Sequence, residues 1–181
     1  MPESIRNWQD LRYLNCSHNQ LSSLPNDLYV LPLLGTLRAS YNQLPSLPLS
    51  FWESPYMSEI FLSHNQLRQL PEPQKHIPTL TNGYYQLDLS YNLLEMLPKN
   101  FGFLKCIHRL NLSNNRLKSL PLSMAEIRFG DIYLSNNQLS DLPDWFKETN
   151  FNTLDLRKNP ISLKNQRKIR DWFPTRTIFF P

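Results

Sequence analysis

The chain has 181 residues, 40% of them hydrophobic and 19% charged, a balance typical of a globular rather than a disordered protein. Its formal net charge of +4 comes from the C-terminal end: residues 1–150 hold 12 Lys/Arg against 13 Asp/Glu, whereas residues 151–181 hold seven against two. We therefore do not expect a nucleic-acid-binding face along the body, and no apolar run approaches the ~20 residues that a membrane span needs.

The cysteines and the first residues bear on the cellular compartment. Cys16 and Cys106 are 90 positions apart, with no cysteine cluster at either end, so we expect reduced thiols rather than a disulfide framework. Residues 1–4 (MPES) have neither the basic nor the apolar region of a signal peptide. These features favour a cytoplasmic protein; the alternative is a secreted bacterial effector that acts in a host cell.

One sequence unit recurs along the chain. Its first complete copy is LRYLNCSHNQLSSLP at residues 11–25, in the frame L-x-x-L-x-L-x-x-N-x-L. Residues 1–10 match the second half of this unit, so we expect an incomplete repeat there, either a makeshift cap or the point where the chain was cut from a longer protein. Seven complete copies follow one another, at asparagine spacings of 23, 23, 27, 23, 22 and 22 residues. Their asparagines are Asn19, Asn42, Asn65, Asn92, Asn115, Asn137 and Asn159.

These copies resemble leucine-rich repeats of the kind with about 23 residues. The family's tail, L-P-x-x-L-x-x-L-x-x-L, is visible in LPNDLYVLPLL (residues 24–34) and LPKNFGFLKCI (residues 97–107). The resemblance covers about residues 1–163. It implies an α/β fold, a curved right-handed solenoid with a concave parallel sheet and a convex side of irregular turns, 3-10 turns and short helices.

Period-two alternation gives the direction of each side chain independently of the resemblance. In each L-x-L the two apolar residues point to one side and the residue between them to the other. Leu14 with Cys16, and Leu37 with Ala39, are therefore predicted to point inward, as are the equivalent pairs Ile60/Leu62, Leu87/Leu89 and Leu110/Leu112. The frame asparagine is predicted to satisfy backbone groups where the strand ends and to link neighbouring copies. The recurring Leu-Pro pairs are predicted to turn the chain onto the convex side.

Two segments depart from the repeat. Residues 71–83 (PEPQKHIPTLTNG) carry four additional residues and predict a bulged convex loop, either a tolerated insertion or a partner contact. Residues 164–181 are predicted to form a C-terminal cap, with Ser162 as N-cap of a helix, an apolar stripe at Ile169, Trp172 and Phe173, and an edge strand near residues 177–180. The cap resembles those of several bacterial repeat proteins. Its outer cations, at positions 164, 167, 168 and 170, form either a solvated face or a contact for an acidic partner or a membrane surface.

The solvent-facing positions of the sheet fall into four columns, one residue per copy. The first column includes Tyr85 and His108, and the preceding column includes Tyr13 and Arg109. The central column is the x of each L-x-L: Asn15, Arg38, Phe61, Asp88, Asn111, Tyr133 and Asp155. The terminal column directly precedes the frame asparagine: His18, Tyr41, His64, Tyr91, Asn114, Asn136 and Lys158. We expect these residues to have no role in folding, so that their identities reflect binding.

The columns predict a partner-binding site rich in aromatic residues and arginine, the composition of protein-binding hot spots. Exposed aromatics that merely pack on one another are the alternative. The predicted site residues are Tyr13, Arg38, Phe61, Tyr85, Asp88, Arg109 and Tyr133.

No catalytic or metal motif occurs in the sequence, and the recurring serines and asparagines have a structural explanation. We predict a monomeric, non-catalytic module that binds another protein on its concave face and needs no cofactor or small-molecule substrate. The alternative is the recognition segment of a larger enzyme or bacterial effector, of the kinase or ubiquitin-ligase type.

Overall fold

The computed structural model describes residues 3–54, 56–74 and 84–181. Within these residues the strands form one parallel sheet in which each strand pairs with the next one in the chain, so the predicted solenoid is confirmed. The strands are β1 (Tyr13–Asn15), β2 (Thr36–Arg38), β3 (Glu59–Phe61), β4 (Tyr84–Asp88), β5 (Cys106–Asn111), β6 (Arg128–Tyr133), β7 (Thr153–Asp155) and β8 (Thr177–Phe179). The register is constant: Arg38 lies opposite Phe61, and Phe61 lies opposite Asp88.

Short 3-10 helices lie on the other side of the solenoid. Proline directly precedes four of them, at positions 25, 48, 121 and 143, with φ between −66° and −70°. Because the proline ring fixes φ near this value and ends the strand-like segment, the Leu-Pro pairs set the turn as predicted. The 3-10 helices are Glu3–Asn7, Asn26–Val30, Leu49–Glu53, Phe101–Leu104, Leu122–Glu126 and Asp144–Glu148.

The core lies between the sheet and the 3-10 helices. The inward pairs of copies two to five are fully buried, from Leu37 and Ala39 to Leu110 and Leu112, which confirms the predicted alternation. Leu14 and Cys16 are only half-buried, because β1 has a neighbouring strand on one side alone. Stacked copies thus supply the burial that no single copy provides for itself.

The frame asparagines connect each copy to the one before it. From Asn42 to Asn159, each side-chain oxygen accepts a hydrogen bond from a backbone N–H of the preceding copy, at 2.9–3.0 Å. Each amide Nδ2 also donates to carbonyls of both copies; that of Asn115 donates to Leu89 and Leu112, at 3.0 Å each. The predicted ladder is therefore present, and it satisfies backbone groups that are buried at the strand exits.

The C-terminal segment contains helix α1 (Leu163–Trp172) and strand β8. The Ser162 hydroxyl accepts from the backbone N–H of Asn165 at 3.3 Å, so Ser162 is the N-cap as predicted. Ile169 and Phe173 are buried, and β8 extends the sheet beyond β7. Most of the predicted convex loop at residues 71–83 lies outside the described residues, as do residues 1 and 2.

Candidate functional site

The central column contains residues with a local structural role. Four of its members accept a hydrogen bond, through Oδ1, from the backbone N–H two residues later, at 3.0–3.1 Å. These four are Asn15, Asp88, Asn111 and Asp155. Each forms an Asx turn that shapes the strand exit. The expectation that this column has no role in folding is therefore wrong for these residues, including Asp88 of the predicted site.

The other three members of the central column are Arg38, Phe61 and Tyr133. None of them is Asx, so these copies form the same strand exit without the side-chain hydrogen bond. Arg38 is exposed, whereas Phe61 and Tyr133 are half-buried. Phe61 is on the solvent side of the sheet and Leu62 is fully buried, as the alternation requires. For these three residues of the central column, the requirements of folding do not explain the residue type.

Arg38 forms a cluster with two aromatic rings from the strands on either side of it. Its guanidinium carbon lies 4.6 Å from the ring centroid of Phe61 and 5.8 Å from that of Tyr13. Both distances are within the range of cation–π attraction. The Tyr13 side chain is 50% exposed, so much of the cluster faces solvent. We call Tyr13, Arg38 and Phe61 the arginine cluster.

A second cluster lies where the strands are longest, near the start of β4, β5 and β6. The rings of Tyr85 and His108 are 5.8 Å apart, and Arg109 Nη2 lies 3.6 Å from Asp131 Oδ2. With Gln86, Gly130 and Asn152 they line a shallow depression of about 180 Å³. A β-carbon at position 130 would overlap the backbone carbonyl of His108, so the close approach of β5 and β6 requires glycine there.

The predicted site residues thus form two groups rather than one. Tyr13, Arg38 and Phe61 lie on β1 to β3, and Tyr85 with Arg109 on β4 and β5. Tyr133 is on β6, three strands from Phe61, or about 14 Å at the usual strand spacing.

The terminal column forms a continuous aromatic stack over four copies. The rings of successive copies are 4.0–4.3 Å apart and within 11° of parallel. In chain order the rings are His18, Tyr41, His64 and Tyr91. In the next two copies the column continues as a hydrogen bond, from Asn136 Nδ2 to Asn114 Oδ1. We call the four rings the aromatic stack.

The titratable groups of the sheet give no sign of a prepared nucleophile. Burial raises the pKa of the Cys16 thiol, which lowers the population of thiolate, the reactive form. Burial alone would raise the pKa of Asp155, but hydrogen bonds from Arg157 and its charge outweigh burial and hold that pKa below its ordinary value. Residues 3–54, 56–74 and 84–181 contain no group of three or more His, Cys, Asp and Glu side chains suited to a metal ion.

The sequence of the repeat and the fold of the chain are similar to those of known proteins. A family model for the Leucine Rich Repeat matches residues 10–31 and 106–126. A Leptospira interrogans LRR protein of known structure is 26% identical with a TM-score of 0.51. The chain therefore contains leucine-rich repeats and has the leucine-rich-repeat fold. It aligns over 99% of its own length and spans 57% of the Leptospira protein.

Two further solved structures share the leucine-rich-repeat fold. The LRR domain of a Shigella effector is 22% identical with a TM-score of 0.58, over 98% of this chain and 84% of that one. A chain of the Drosophila Toll–Spätzle complex is 25% identical with a TM-score of 0.70, over 88% of this chain and 22% of that one. No curated protein matches the chain significantly. Leucine-rich repeats are commonly protein-interaction modules.

The aromatic stack is the feature of this leucine-rich-repeat protein that sequence reasoning missed. The alternation of His and Tyr in one column was the available signal, but the backbone there was not predicted. All seven terminal-column residues have φ between 52° and 57°. This left-handed conformation costs roughly 1–2 kcal/mol for a residue with a β-carbon, and each aromatic pair returns about 0.5–1.5 kcal/mol. The three stacked pairs therefore offset only part of the cost for the four rings, and asparagine lowers this cost in the fifth and sixth copies.

Within the described residues, no helix is both long and apolar enough to cross a membrane.

Proposed function

We propose that this leucine-rich-repeat chain is a non-catalytic module that binds a partner protein on the concave face of its sheet. The observation that carries the proposal is the composition of the central column. Where other copies use Asx to shape the strand exit, three copies have Arg38, Phe61 and Tyr133 instead. Large aromatic side chains and arginine are enriched at the energetic centres of protein interfaces.

The arrangement of the face supports this proposal. Phe61 and Tyr133 lie on the same side of one sheet, and the copies between them contribute Asp88 and Asn111 in the same column. An aromatic residue at each end and polar residues between them offer a partner two contacts at a fixed separation. Because the sheet register is constant, this separation does not depend on a flexible loop.

The test is partner capture with a double variant, Phe61→Ala with Tyr133→Ala, using affinity capture and mass spectrometry. We expect the specific partner signal to disappear while the unfolding midpoint changes little, since neither side chain is fully buried. The matched control is Leu49→Ala with Leu122→Ala, which removes two highly exposed side chains from the 3-10 helices on the other side. An unchanged capture by the first variant, or a loss with the control, would contradict binding on the concave face.

The alternative is a recognition segment within a larger enzyme or bacterial effector. The chain spans 57% of the Leptospira protein, and one similar structure is the LRR domain of a Shigella effector. In both cases the concave face would have the same binding role, and catalysis would belong to another part of the protein. The cytoplasmic location and the monomeric state stay predictions.

A further inference from the structure

The side chain of Arg38 has no polar partner within the described residues. It takes part in no ion pair and no side-chain hydrogen bond there, although it is exposed on the concave face. Two other arginines, one in β5 and one just after β7, differ because each pairs with an aspartate. Arg109 pairs with Asp131 at 3.6 Å, and Arg157 pairs with Asp155 at 2.8 Å. Arg38 therefore retains its full set of N–H donors.

The acidic residue on the adjacent strand β3 does not pair with Arg38. Glu59 lies on the adjacent strand β3, but its carboxylate accepts a hydrogen bond from Thr36 Oγ1 at 3.2 Å and makes no ion pair with Arg38. Arg12 adds a second exposed cation next to Tyr13 on β1's side of the cluster. The N-terminal part of the concave face thus has more positive than negative charge, with Arg38 at its centre.

The flanking rings hold the guanidinium in place before any partner arrives. Phe61 and Tyr13 come from the strands on opposite sides of β2, so the planar group has an aromatic neighbour on each side. Aromatic contacts to the faces of a guanidinium leave the N–H groups at its rim available. Holding the side chain in advance lowers the entropy lost on binding.

We infer that the arginine cluster binds the carboxylate of an aspartate or glutamate in an acidic segment of the partner protein. The inference rests on the proposed function and adds the chemistry of the partner. The carboxylate pairs with the two N–H groups on one edge of the Arg38 guanidinium, the bidentate arrangement that the planar group favours. Side chains next to the acid contact Phe61 and Tyr13.

The experiment uses two arrays of random peptides that are identical except at one fixed central position, glutamate in one and its isostere glutamine in the other. The whole chain is the binding protein. We expect glutamate peptides to bind about 10- to 100-fold more tightly than their glutamine counterparts, as for a hydrogen bond to a charged group. The preference should be lost in Arg38→Met and reduced in Arg38→Lys, which keeps the charge but loses the planar pair of donors.

Two controls separate this inference from the proposed function. Arg128→Met removes an exposed arginine at the start of β6, outside the predicted site, and should leave the glutamate preference intact. Phe61→Ala with Tyr133→Ala should weaken binding of both arrays. If that double variant weakens binding but Arg38→Met leaves the glutamate preference unchanged, the concave site stands and the carboxylate inference is wrong.

The remaining outcomes also test the carboxylate inference. Binding that survives the double variant contradicts both proposals, and a wild-type chain that binds neither array overturns the carboxylate inference. A third array with phosphoserine at the central position distinguishes the source of the anion. Capture of phosphoserine peptides without capture of glutamate peptides would show a phosphate site instead. An Arg38→Lys variant that keeps the full glutamate preference and unfolds at the wild-type midpoint would contradict the bidentate arrangement, because charge alone would then be sufficient.

Discussion

Replacing Asn115 by alanine tests the asparagine ladder where neighbours enclose it on both sides. The side chain is 8% exposed and makes three strong contacts. Its Oδ1 accepts from the backbone N–H of Leu94 at 3.0 Å, and its Nδ2 donates to the carbonyls of Leu89 and Leu112 at 3.0 Å. Both carbonyls keep another amide donor, from Asn92 and Asn137 respectively. The N–H of Leu94 has no such substitute.

The free energy of unfolding should therefore fall for two reasons. A buried N–H without a partner costs about 1–3 kcal/mol, and two lost hydrogen bonds add about 1–3 kcal/mol, so we expect a loss of about 2–6 kcal/mol. This is a large fraction of the 5–15 kcal/mol that typically stabilises a domain. Because each copy contacts mainly its neighbours, weakening one junction should also lower the cooperativity of unfolding.

Urea denaturation followed by circular dichroism measures both effects. The matched control is Asn152→Ala, which removes the same side chain from an exposed position directly before β7. We expect this control to lie within about 0.5 kcal/mol of wild type. A loss below about 1 kcal/mol for Asn115→Ala would refute the reasoning, since it would mean that the buried N–H finds another partner at little cost.

Three further predictions concern single positions. Gly102→Ala should lower the free energy of unfolding by about 1–3 kcal/mol, because the new β-carbon overlaps the carbonyl of Ser123 on the next 3-10 helix. Gly35→Ala, whose nearest neighbour would be 3.7 Å away, should be neutral or stabilising by up to about 1 kcal/mol; equal losses in urea melts would contradict this. Tyr41→Ala should cost about 1–3 kcal/mol for two lost ring pairs, and Tyr41→Asn should cost less, because asparagine tolerates φ near 55°. Asp155→Asn should reduce stability above the ordinary carboxyl pKa, and the difference from wild type should shrink as pH falls through the lowered folded pKa; a pH-independent difference would show that the charge is irrelevant.

Much of the fold could be predicted from the sequence because its signals repeat. Period-two alternation placed Leu62 inside and Phe61 outside, and the frame asparagine indicated buried hydrogen bonds before any coordinates. Because each pattern recurs in several copies, each of these inferences rests on several observations rather than one. The cap helix was predictable from Ser162 and from the spacing of its apolar residues.

The candidate site was only partly predictable, because its contacts depend on backbone and rotamer details that alternation does not contain. The column pattern predicts that Arg38 lies next to Phe61. It does not predict that the guanidinium lies over the ring. The Asx turn of Asp88 was missed because aspartate was assigned to binding by its outward direction alone. The aromatic stack was missed because it requires positive φ at every position, which is uncommon for residues with a β-carbon and most unfavourable here for the two tyrosines.

The constant register of the parallel strands has a consequence for redesign. Each solvent-facing residue occupies one point of a regular grid, with repeats about 4.8 Å apart in one direction and alternate residues along a strand in the other. A substitution at one point changes one side chain of the surface and leaves the backbone of the neighbouring copies in place. Ligand preference can therefore be changed position by position, at those points of the grid that form neither an Asx turn nor a ring stack, while the backbone of the sheet stays as it is.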